Sequence, residues 1–258
     1  MYANAVKAQG RVLLALMLHE ATTRYGGSRL GYLWALVEPV VYITVLVLIR
    51  RGVGGHVPIG NSMFVFVATG TLPFFLFRNV AGKVSSGLSA NDALLTYPVV
   101  KPPDVVLGRA LLEGATLLLV CVIVFGSLQE FSGDALPNDY ITVLSALSVL
   151  FSLGMSVGLL ISLLQAFFPS IAMVTSVFLR MLYWFSGVFY LPSSLPPSAI
   201  AYLKWNPLLH CIEWFRVGFY PRYTSYVLSV QYAVVWALAL ALVAFASERL
   251  LRAQMSSK

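Results

Sequence analysis

The chain has 258 residues, of which 59% are hydrophobic and 10% are charged. An average soluble domain is about 45–50% apolar and about 25% charged, so ten acidic and seventeen basic residues are too few to cover a soluble surface. The same composition excludes a disordered chain, because disordered chains are polar. The sequence therefore predicts an integral membrane protein, and the net charge of +7 does not indicate nucleic-acid binding.

Six stretches are long and apolar enough to cross a bilayer as helices, which takes about 20 residues each. The alternating pattern of a membrane β-strand is absent. We therefore predict an all-α membrane protein with one transmembrane domain, residues 1–258. The predicted spans are Gly31–Ile49, Met63–Val80, Val105–Leu128, Ile141–Leu164, Ile171–Tyr190 and Tyr226–Ala246.

Basic residues predict the orientation, because Lys and Arg concentrate in cytoplasmic connections. Most of them lie before the first span, between the second and third spans, or after the sixth. The 129–140 connection has acidic residues and no basic one. Both termini are therefore predicted to be cytoplasmic.

Residues 1–30 are predicted to form an amphipathic interfacial helix, centred on Asn4–Thr23, along the cytoplasmic membrane surface. This helix either anchors the chain or also contacts a cytoplasmic partner. In the 84–103 connection a short helix is predicted from Ser89, ended by three prolines. That connection is either a surface loop or a docking site for a cytoplasmic subunit.

The 191–225 connection contains two helical pieces that are too short to span, separated by Asn206 and Pro207. Its aromatic residues suit a membrane interface, and Glu213 is predicted to pair with Arg216, three residues on. The connection is predicted to be an outer hairpin, either a cap on the lipid headgroups or an outer gate over a path.

Arg180 lies near the middle of the fifth span, where a charge is costly and usually faces a wet cavity or the interior of a helix bundle. Tyr183 and Trp184 share its helix face, which suits an anionic sugar-bearing substrate. The alternative is an internal ion pair of Arg180 with Glu38 or Glu113.

For two further arginines the sequence allows either a structural or a functional role, and for other residues it predicts a structural role. Arg50 and Arg51 end the first span, either to reach the outer headgroups or to line an exit for anions. Arg109 is predicted to pair with Glu113, and the fourth span to pack through its small residues, Gly154 and Gly158.

The motifs of catalysis and nucleotide binding are absent. The sequence has no G-x-x-x-x-G-K-[ST] loop and no H-E-x-x-H motif. Its two cysteines, Cys121 and Cys211, fall at different levels, which predicts neither a disulfide nor a metal site. We therefore predict a membrane subunit that is not an enzyme, contains no cofactor, and takes its energy from another subunit.

Three motifs carry a family resemblance. The chain resembles the membrane subunits of ABC-2-type exporters, in particular the capsular polysaccharide export permeases of Gram-negative bacteria. The motifs are Arg24-Tyr25-x-x-Ser28-x-Leu30-Gly31-x-x-Trp34-x-x-x-x-Pro39, Asn91-x-x-Leu94-Leu95-x-x-Pro98, and Trp205-Asn206-Pro207-Leu208 with Arg216.

The resemblance implies a homodimer in the bacterial inner membrane, joined to two copies of a cytoplasmic ATPase that binds the ATP and Mg²⁺. It implies an anionic lipid-linked polysaccharide as substrate, with a periplasmic adaptor and an outer-membrane channel completing the route. The 84–103 connection would be the coupling segment that contacts the ATPase, through Asn91, Asp92, Ala93, Leu94, Leu95, Tyr97 and Pro98.

On this hypothesis the lipid head group enters near Arg24, Tyr25 and Arg29. The polymer then moves along aromatic and basic side chains and leaves past the outer gate. The predicted path residues are Trp34, Tyr42, Phe74, Phe75, Phe77, Tyr183, Trp184, Arg50, Arg51 and Arg180, and the predicted outer-gate residues are Trp205, Asn206, Pro207, Glu213 and Arg216.

Two alternatives remain open from the sequence. One is an ABC-2 exporter of O antigen, teichoic acid, a drug or a small lipid, in which the aromatic residues only pack. The other is a membrane enzyme acting on lipid-linked sugars, for which Asp104, Asp134 and Asp139 are the candidate carboxylates.

Overall fold

The computed structural model describes residues 2–25, 31–91, 101–133 and 135–255, and these residues form helices and loops without a β-strand. The predicted all-α membrane class is confirmed. The helices are α1 (Tyr2–Tyr25), α2 (Gly31–Gly52), α3 (Met63–Ser85), α4 (Gly87–Ala90), α5 (Pro102–Ser132), α6 (Tyr140–Phe167), α7 (Ile171–Phe185), a 3₁₀ turn (Pro192–Ser194), α8 (Pro197–Leu203), α9 (Pro207–Phe219) and α10 (Val230–Met255).

Within the described ranges, five helices are long and apolar enough to cross a membrane, namely α2, α3, α5, α6 and α10. The fifth predicted span is shorter than expected, because α7 has 15 residues and ends at Phe185 rather than Tyr190. At 1.5 Å per residue its length is about 22 Å, whereas the hydrocarbon core is about 30 Å thick.

The central element of the fold is α3, which is buried along most of its length. It packs against α6, α5, α2, α9 and α7. A helix at the centre of a bundle is expected to be apolar on every side, because none of its faces contacts water. The aromatic run Phe74–Phe77 therefore lies in the protein core.

Small residues allow α3 and α6 to approach closely, as predicted. A Cβ atom on Gly154 would lie 2.8 Å from the Phe77 carbonyl oxygen, and one on Gly158 would lie 2.7 Å from that of Ala81. Helices in membranes associate through such close backbone packing. The glycines therefore set the distance between the two helices.

The N-terminal helix α1 packs across the beginning of α5. A Cβ atom on Gly108 would lie 3.2 Å from the Leu16 Cβ, so the crossing is close. Arg109 pairs with Glu20 of α1 at 2.9 Å, which corrects the predicted pairing with Glu113 within α5. Both cysteines are free and buried.

We expect Gly154→Ala to lower the melting temperature of the purified protein in detergent. Alanine favours a helix by up to about 1 kcal/mol over glycine, but an added methyl group in a filled core costs about 1–3 kcal/mol. Gly126→Ala on α5 is the matched control, because nothing lies within 4 Å of its would-be Cβ. Equal melting temperatures for the two variants would show that the α3–α6 contact does not need a glycine.

Candidate translocation site

Helix α7 contributes one stripe of side chains to the core and exposes the rest. Thr175, Leu179 and Tyr183 are buried at intervals of four residues, as expected of one helix face. Arg180 is exposed, and its Nε donates to the Ser176 carbonyl oxygen at 3.0 Å. The other exposed large side chains of α7 are apolar: Met173, Val174, Val177, Phe178, Met181, Trp184 and Phe185.

The position of Arg180 is costly if its face of α7 meets lipid. An arginine near the middle of a membrane helix costs about 2.5–3.5 kcal/mol on insertion scales. The alternative internal pair with Glu38 is wrong, because Glu38 pairs with Arg78 at 3.1 Å. An exposed arginine among large apolar side chains on α7 therefore favours a site of contact with a polar path or another chain.

Most of the predicted path aromatics lie inside the chain. Tyr183 contacts the rings of Phe74, Tyr42 and Phe189 at centroid distances of 5.0, 5.5 and 4.8 Å, and its hydroxyl bonds to Thr71 at 3.1 Å. Tyr183, Phe74, Phe75 and Phe77 are all buried, and Tyr42 is half-buried. In this structure the four buried rings present no surface to a substrate.

Two predicted path aromatics are exposed. Trp184 on α7 is 62% exposed and stacks on Phe189 at 4.7 Å, and Trp34 on α2 is 68% exposed. Together with Arg180 and Arg51, these two indole rings are the members of the predicted path whose side chains are exposed.

The adjacent cations Arg50 and Arg51 have different environments. Arg50 is half-buried, lies 5.2 Å from the centre of the Phe66 ring and donates to the Phe189 carbonyl oxygen. Arg51 is exposed and lies 5.5 Å from the centre of the Phe64 ring. Arg51 also lines an open cavity of about 490 Å³ with Gly55, His56, Val57, Asn61, Ser62, Met63, Phe131 and Ser132.

The two helices of the predicted hairpin differ, because α8 has no buried residue whereas α9 is part of the core. Helix α9 is buried over most of its residues against α6, α3 and α10. Arg216 and Glu213 have no exposed side-chain surface and pair at 3.1 Å, which confirms the predicted pair. Tyr223 donates its hydroxyl hydrogen to Glu213 at 2.5 Å.

Arg216 bonds to the loop that follows α7. Its guanidinium donates to the carbonyl oxygens of Gly187, Val188 and Tyr190 at 2.7, 2.9 and 3.2 Å. The chain turns sharply at Gly187, where φ is +75°, a conformation that glycine adopts readily. Three carbonyl groups of the loop beyond α7 thereby have a donor, which holds the turn between Phe185 and Tyr190.

Asn206 connects the beginning of α9 with the end of α7. Its Oδ1 accepts from the Leu208 amide at 3.0 Å, and its Nδ2 donates to the Phe185 carbonyl oxygen at 3.1 Å. Pro207 occupies the first helical position, where a missing amide is tolerated. Trp205 is exposed on the loop before them. The predicted outer-gate residues therefore combine one exposed ring with four that have structural contacts.

The tyrosines around Glu213 remain protonated at physiological pH. Burial, followed by the charge of Glu213, raises the pKa of Tyr223, and burial raises the pKa of Tyr190. Burial also raises the pKa of Tyr220 to about 12. Tyr223 therefore stays a hydrogen-bond donor to Glu213, and the ion pair with Arg216 is not opposed by a phenolate.

The model of one protein family, ABC-2 type transporter, matches residues 11–220. The chain belongs to this family. It is 34% identical over 226 residues to the polysialic acid transport protein KpsM of Escherichia coli, covering 87% of each chain. It is 28% identical to the capsule polysaccharide export inner-membrane protein BexB of Haemophilus influenzae, covering 93% of this chain and 91% of BexB. It is also 28% identical to the protein CtrC of Neisseria meningitidis serogroup A, which has the same descriptive name as BexB, covering 85% of this chain and 83% of CtrC.

Membership of the ABC-2 family makes the chain a transport permease and not an enzyme, as predicted. The candidate carboxylates that the structure describes have structural partners. Asp104 bonds to Gln9 and to the Lys101 amide at the beginning of α5. Asp139 caps α6, and hydrogen bonds from the Thr142 hydroxyl and amide and from the Ile141 amide hold the pKa of its carboxyl below the usual value. Asp134 lies outside the described residues.

The predicted coupling and entry segments of this ABC-2 permease are described only in part. Asn91 is buried, and its Nδ2 donates to the Gly87 carbonyl oxygen at 2.9 Å. A short helix, Gly87–Ala90, precedes it and begins two residues before the predicted Ser89. Asp92, Ala93, Leu94, Leu95, Tyr97, Pro98 and Arg29 lie outside the described residues, as do the side chains of Arg24 and Tyr25.

We expect Arg216→Met to destabilise the permease strongly. Glu213 would remain as an unpaired buried charge, which costs about 3–5 kcal/mol, and three loop carbonyl groups would lose their donor. Membrane level and melting temperature in detergent measure the effect. Lys204→Met is the matched control, because Lys204 is exposed in the same hairpin. A melting temperature equal to that of the control would contradict the structural role given to Arg216.

Proposed function

We propose that the chain is the membrane subunit of an ATP-driven exporter that moves an anionic, lipid-linked capsular polysaccharide from the cytoplasm to the periplasm. The observation that carries the proposal is the exposed Arg180 on a helix face whose other large exposed side chains are apolar. The names of KpsM, BexB and CtrC, which are polysialic acid and capsule polysaccharide transport proteins, support the class of substrate.

A second copy of the chain would complete the path. Lipid satisfies an exposed arginine poorly, whereas two opposed α7 faces would place two Arg180 side chains along one water-filled passage. The apolar residues around Arg180 would then pack between the copies. In this arrangement both termini are cytoplasmic, and the complex contains two copies of a cytoplasmic ATPase that binds ATP and Mg²⁺.

The chemistry of the exposed residues suits an acidic sugar polymer. A guanidinium binds carboxylate or phosphate through paired hydrogen bonds, and the faces of indole rings offer apolar surface to sugar rings. Arg180 and Trp184 would contact the polymer within the path, and Trp34 would do so along α2. Arg51 would contact it at the outer end, in the cavity of about 490 Å³.

The buried members of the predicted path would act from behind this surface. Tyr42, Tyr183, Phe74, Phe75 and Phe77 pack α2, α3 and α7 together. Arg50 holds the loop after α7 through Phe189. They would position Arg180 and Trp184 rather than touch the polymer.

The remaining assignments follow the family resemblance. Arg24, Tyr25 and Arg29 would receive the lipid head group, and residues 91–98 would contact the ATPase. Trp205 and the segment from Asn206 to Arg216 would form the outer gate, next to a periplasmic adaptor and an outer-membrane channel. An export permease for O antigen, teichoic acid, a drug or a small lipid is the alternative within this family, and no contact in the structure favours it.

We expect Arg180→Ala to reduce polysaccharide export on the order of tenfold, which corresponds to about 1.4 kcal/mol of lost interaction. Arg180→Lys should retain more export, because it keeps the positive charge. Surface polysaccharide is measured in cells that contain the ATPase and produce the lipid-linked polymer. Membrane levels of the permease are measured in parallel.

Leu242→Ala is the control for truncating an exposed side chain, since Leu242 is 73% exposed and lies on α10, away from the proposed contact between copies. It should leave export close to that of the wild type. Normal export by an Arg180→Ala permease at the wild-type membrane level would overturn the role of Arg180.

Leu94→Asp is expected to separate the permease from its ATPase, because a charge in an apolar docking contact is strongly unfavourable. Copurification of the two subunits, and stimulation of ATP hydrolysis by the lipid-linked polymer, measure this. Ser89→Asp on the exposed face of α4 is the control for adding a charge nearby. Wild-type copurification and export by the Leu94→Asp permease would show that residues 91–98 are not the ATPase contact.

A further inference from the structure

Arg109 bonds to three separate parts of the fold. Its Nε and one terminal nitrogen contact the Glu20 Oε2 of α1 at 3.0 and 2.9 Å. The other terminal nitrogen donates to the Lys83 carbonyl oxygen at the end of α3 and to the Ser86 hydroxyl at 3.1 and 3.3 Å. Ser86 joins α3 to α4, so one guanidinium on α5 reaches the N-terminal helix and the segment that enters the 92–100 connection.

The ion pair is largely removed from solvent. The side chains of Arg109 and Glu20 are 10% and 14% exposed, so their attraction is screened less than that of a surface pair. Breaking it leaves a mostly buried charge, which is costly. This geometry is specific to arginine, because a single ammonium group lacks the planar set of donors that serves three acceptors.

The attachment of α1 to α5 does not depend on Arg109 alone. Gln9 bonds to Asp104, and Leu16 packs against Gly108 between the two polar contacts. In addition to its ion pair with α1, the Arg109 side chain bonds to the junction of α3 and α4. Its role is therefore separable from holding α1 in place.

We propose that Arg109 is a positioning residue that links α1 to the α3–α4 junction, so that displacement of the 92–100 connection is transmitted to the N-terminal helix. The inference rests on the proposed function, in which that connection contacts the ATPase. ATP-driven movement at the connection would then reach α1 through the guanidinium.

Four variants separate this link from simple docking of α1. Arg109→Lys keeps the charge but loses the planar donors, and Glu20→Gln removes the partner charge. The double variant Glu20→Arg with Arg109→Glu restores an ion pair between α1 and α5, but a carboxylate cannot donate to the Lys83 carbonyl oxygen. Ser86→Ala changes only the junction and leaves the ion pair intact.

The measured quantity is polysaccharide exported per ATP hydrolysed by the complete complex. Hydrogen–deuterium exchange of α1 and of residues 84–91 is measured in the same complex, with and without ATP. In the wild type, both segments should change their exchange together when ATP is added. Glu38→Gln is the control, because it makes the same carboxylate-to-amide change in a more exposed pair with Arg78.

Arg109→Lys and the double variant should each lower the export per ATP roughly fivefold or more, with α1 no longer responding to ATP. Ser86→Ala should also lower the export per ATP, while the level of the permease in the membrane stays unchanged. This variant keeps the test valid if Arg109→Lys is unstable. Glu20→Gln should resemble Arg109→Lys, and Glu38→Gln should match the wild type.

Full recovery of export and of the ATP response in the double variant would overturn the proposal, because Arg109 would then only hold α1 to α5. Wild-type coupling in both Arg109→Lys and Ser86→Ala would overturn it as well. If the wild-type permease binds no ATPase and exports no polysaccharide, the proposed function is wrong, and this inference is wrong with it.

Discussion

The structure depends on the buried guanidinium of Arg216, which supplies hydrogen bonds to the chain reversal after α7. Backbone carbonyl groups that leave a helix in apolar surroundings need a donor, and Arg216 serves those of Gly187, Val188 and Tyr190. Its own charge is balanced by Glu213. Without it the turn after α7 would carry unsatisfied polar groups, so the short α7 and the buried α9 form one unit.

The position of α7 determines what this permease can present to a substrate or to another copy of itself. Its buried stripe ends at Tyr183, whose ring contacts Phe74 and Phe189, and Arg50 donates to the Phe189 carbonyl oxygen. This packing turns Arg180 outward. At the opposite end of the bundle Arg109 has a comparable position, because one guanidinium bonds to several backbone and side-chain groups brought together from distant segments.

Much of the fold could be predicted from the sequence, because membrane spans are encoded locally in runs of apolar residues. The spans of α3, α5 and α6 were predicted within a few residues of their ends, and the short pieces around Pro207 were predicted as non-spanning. The sequence predicts that this span continues to Tyr190, because the run Ser186–Tyr190 is apolar enough, but α7 ends at Phe185. The turn that follows α7 is held by Arg216, twenty-six residues further along the chain than Tyr190.

The sequence by itself determined the membrane class, the family motifs and the unusual charge at Arg180, since each depends on residue type and local spacing. Only the tertiary structure decided which aromatic rings are exposed: Phe74, Phe75 and Phe77 are buried, whereas Trp34 and Trp184 face outward. It also decided that Arg109 pairs with Glu20, eighty-nine residues away. Apolar residues in a membrane helix suit lipid, protein core and substrate path equally, so their faces are distinguished only by what packs against them.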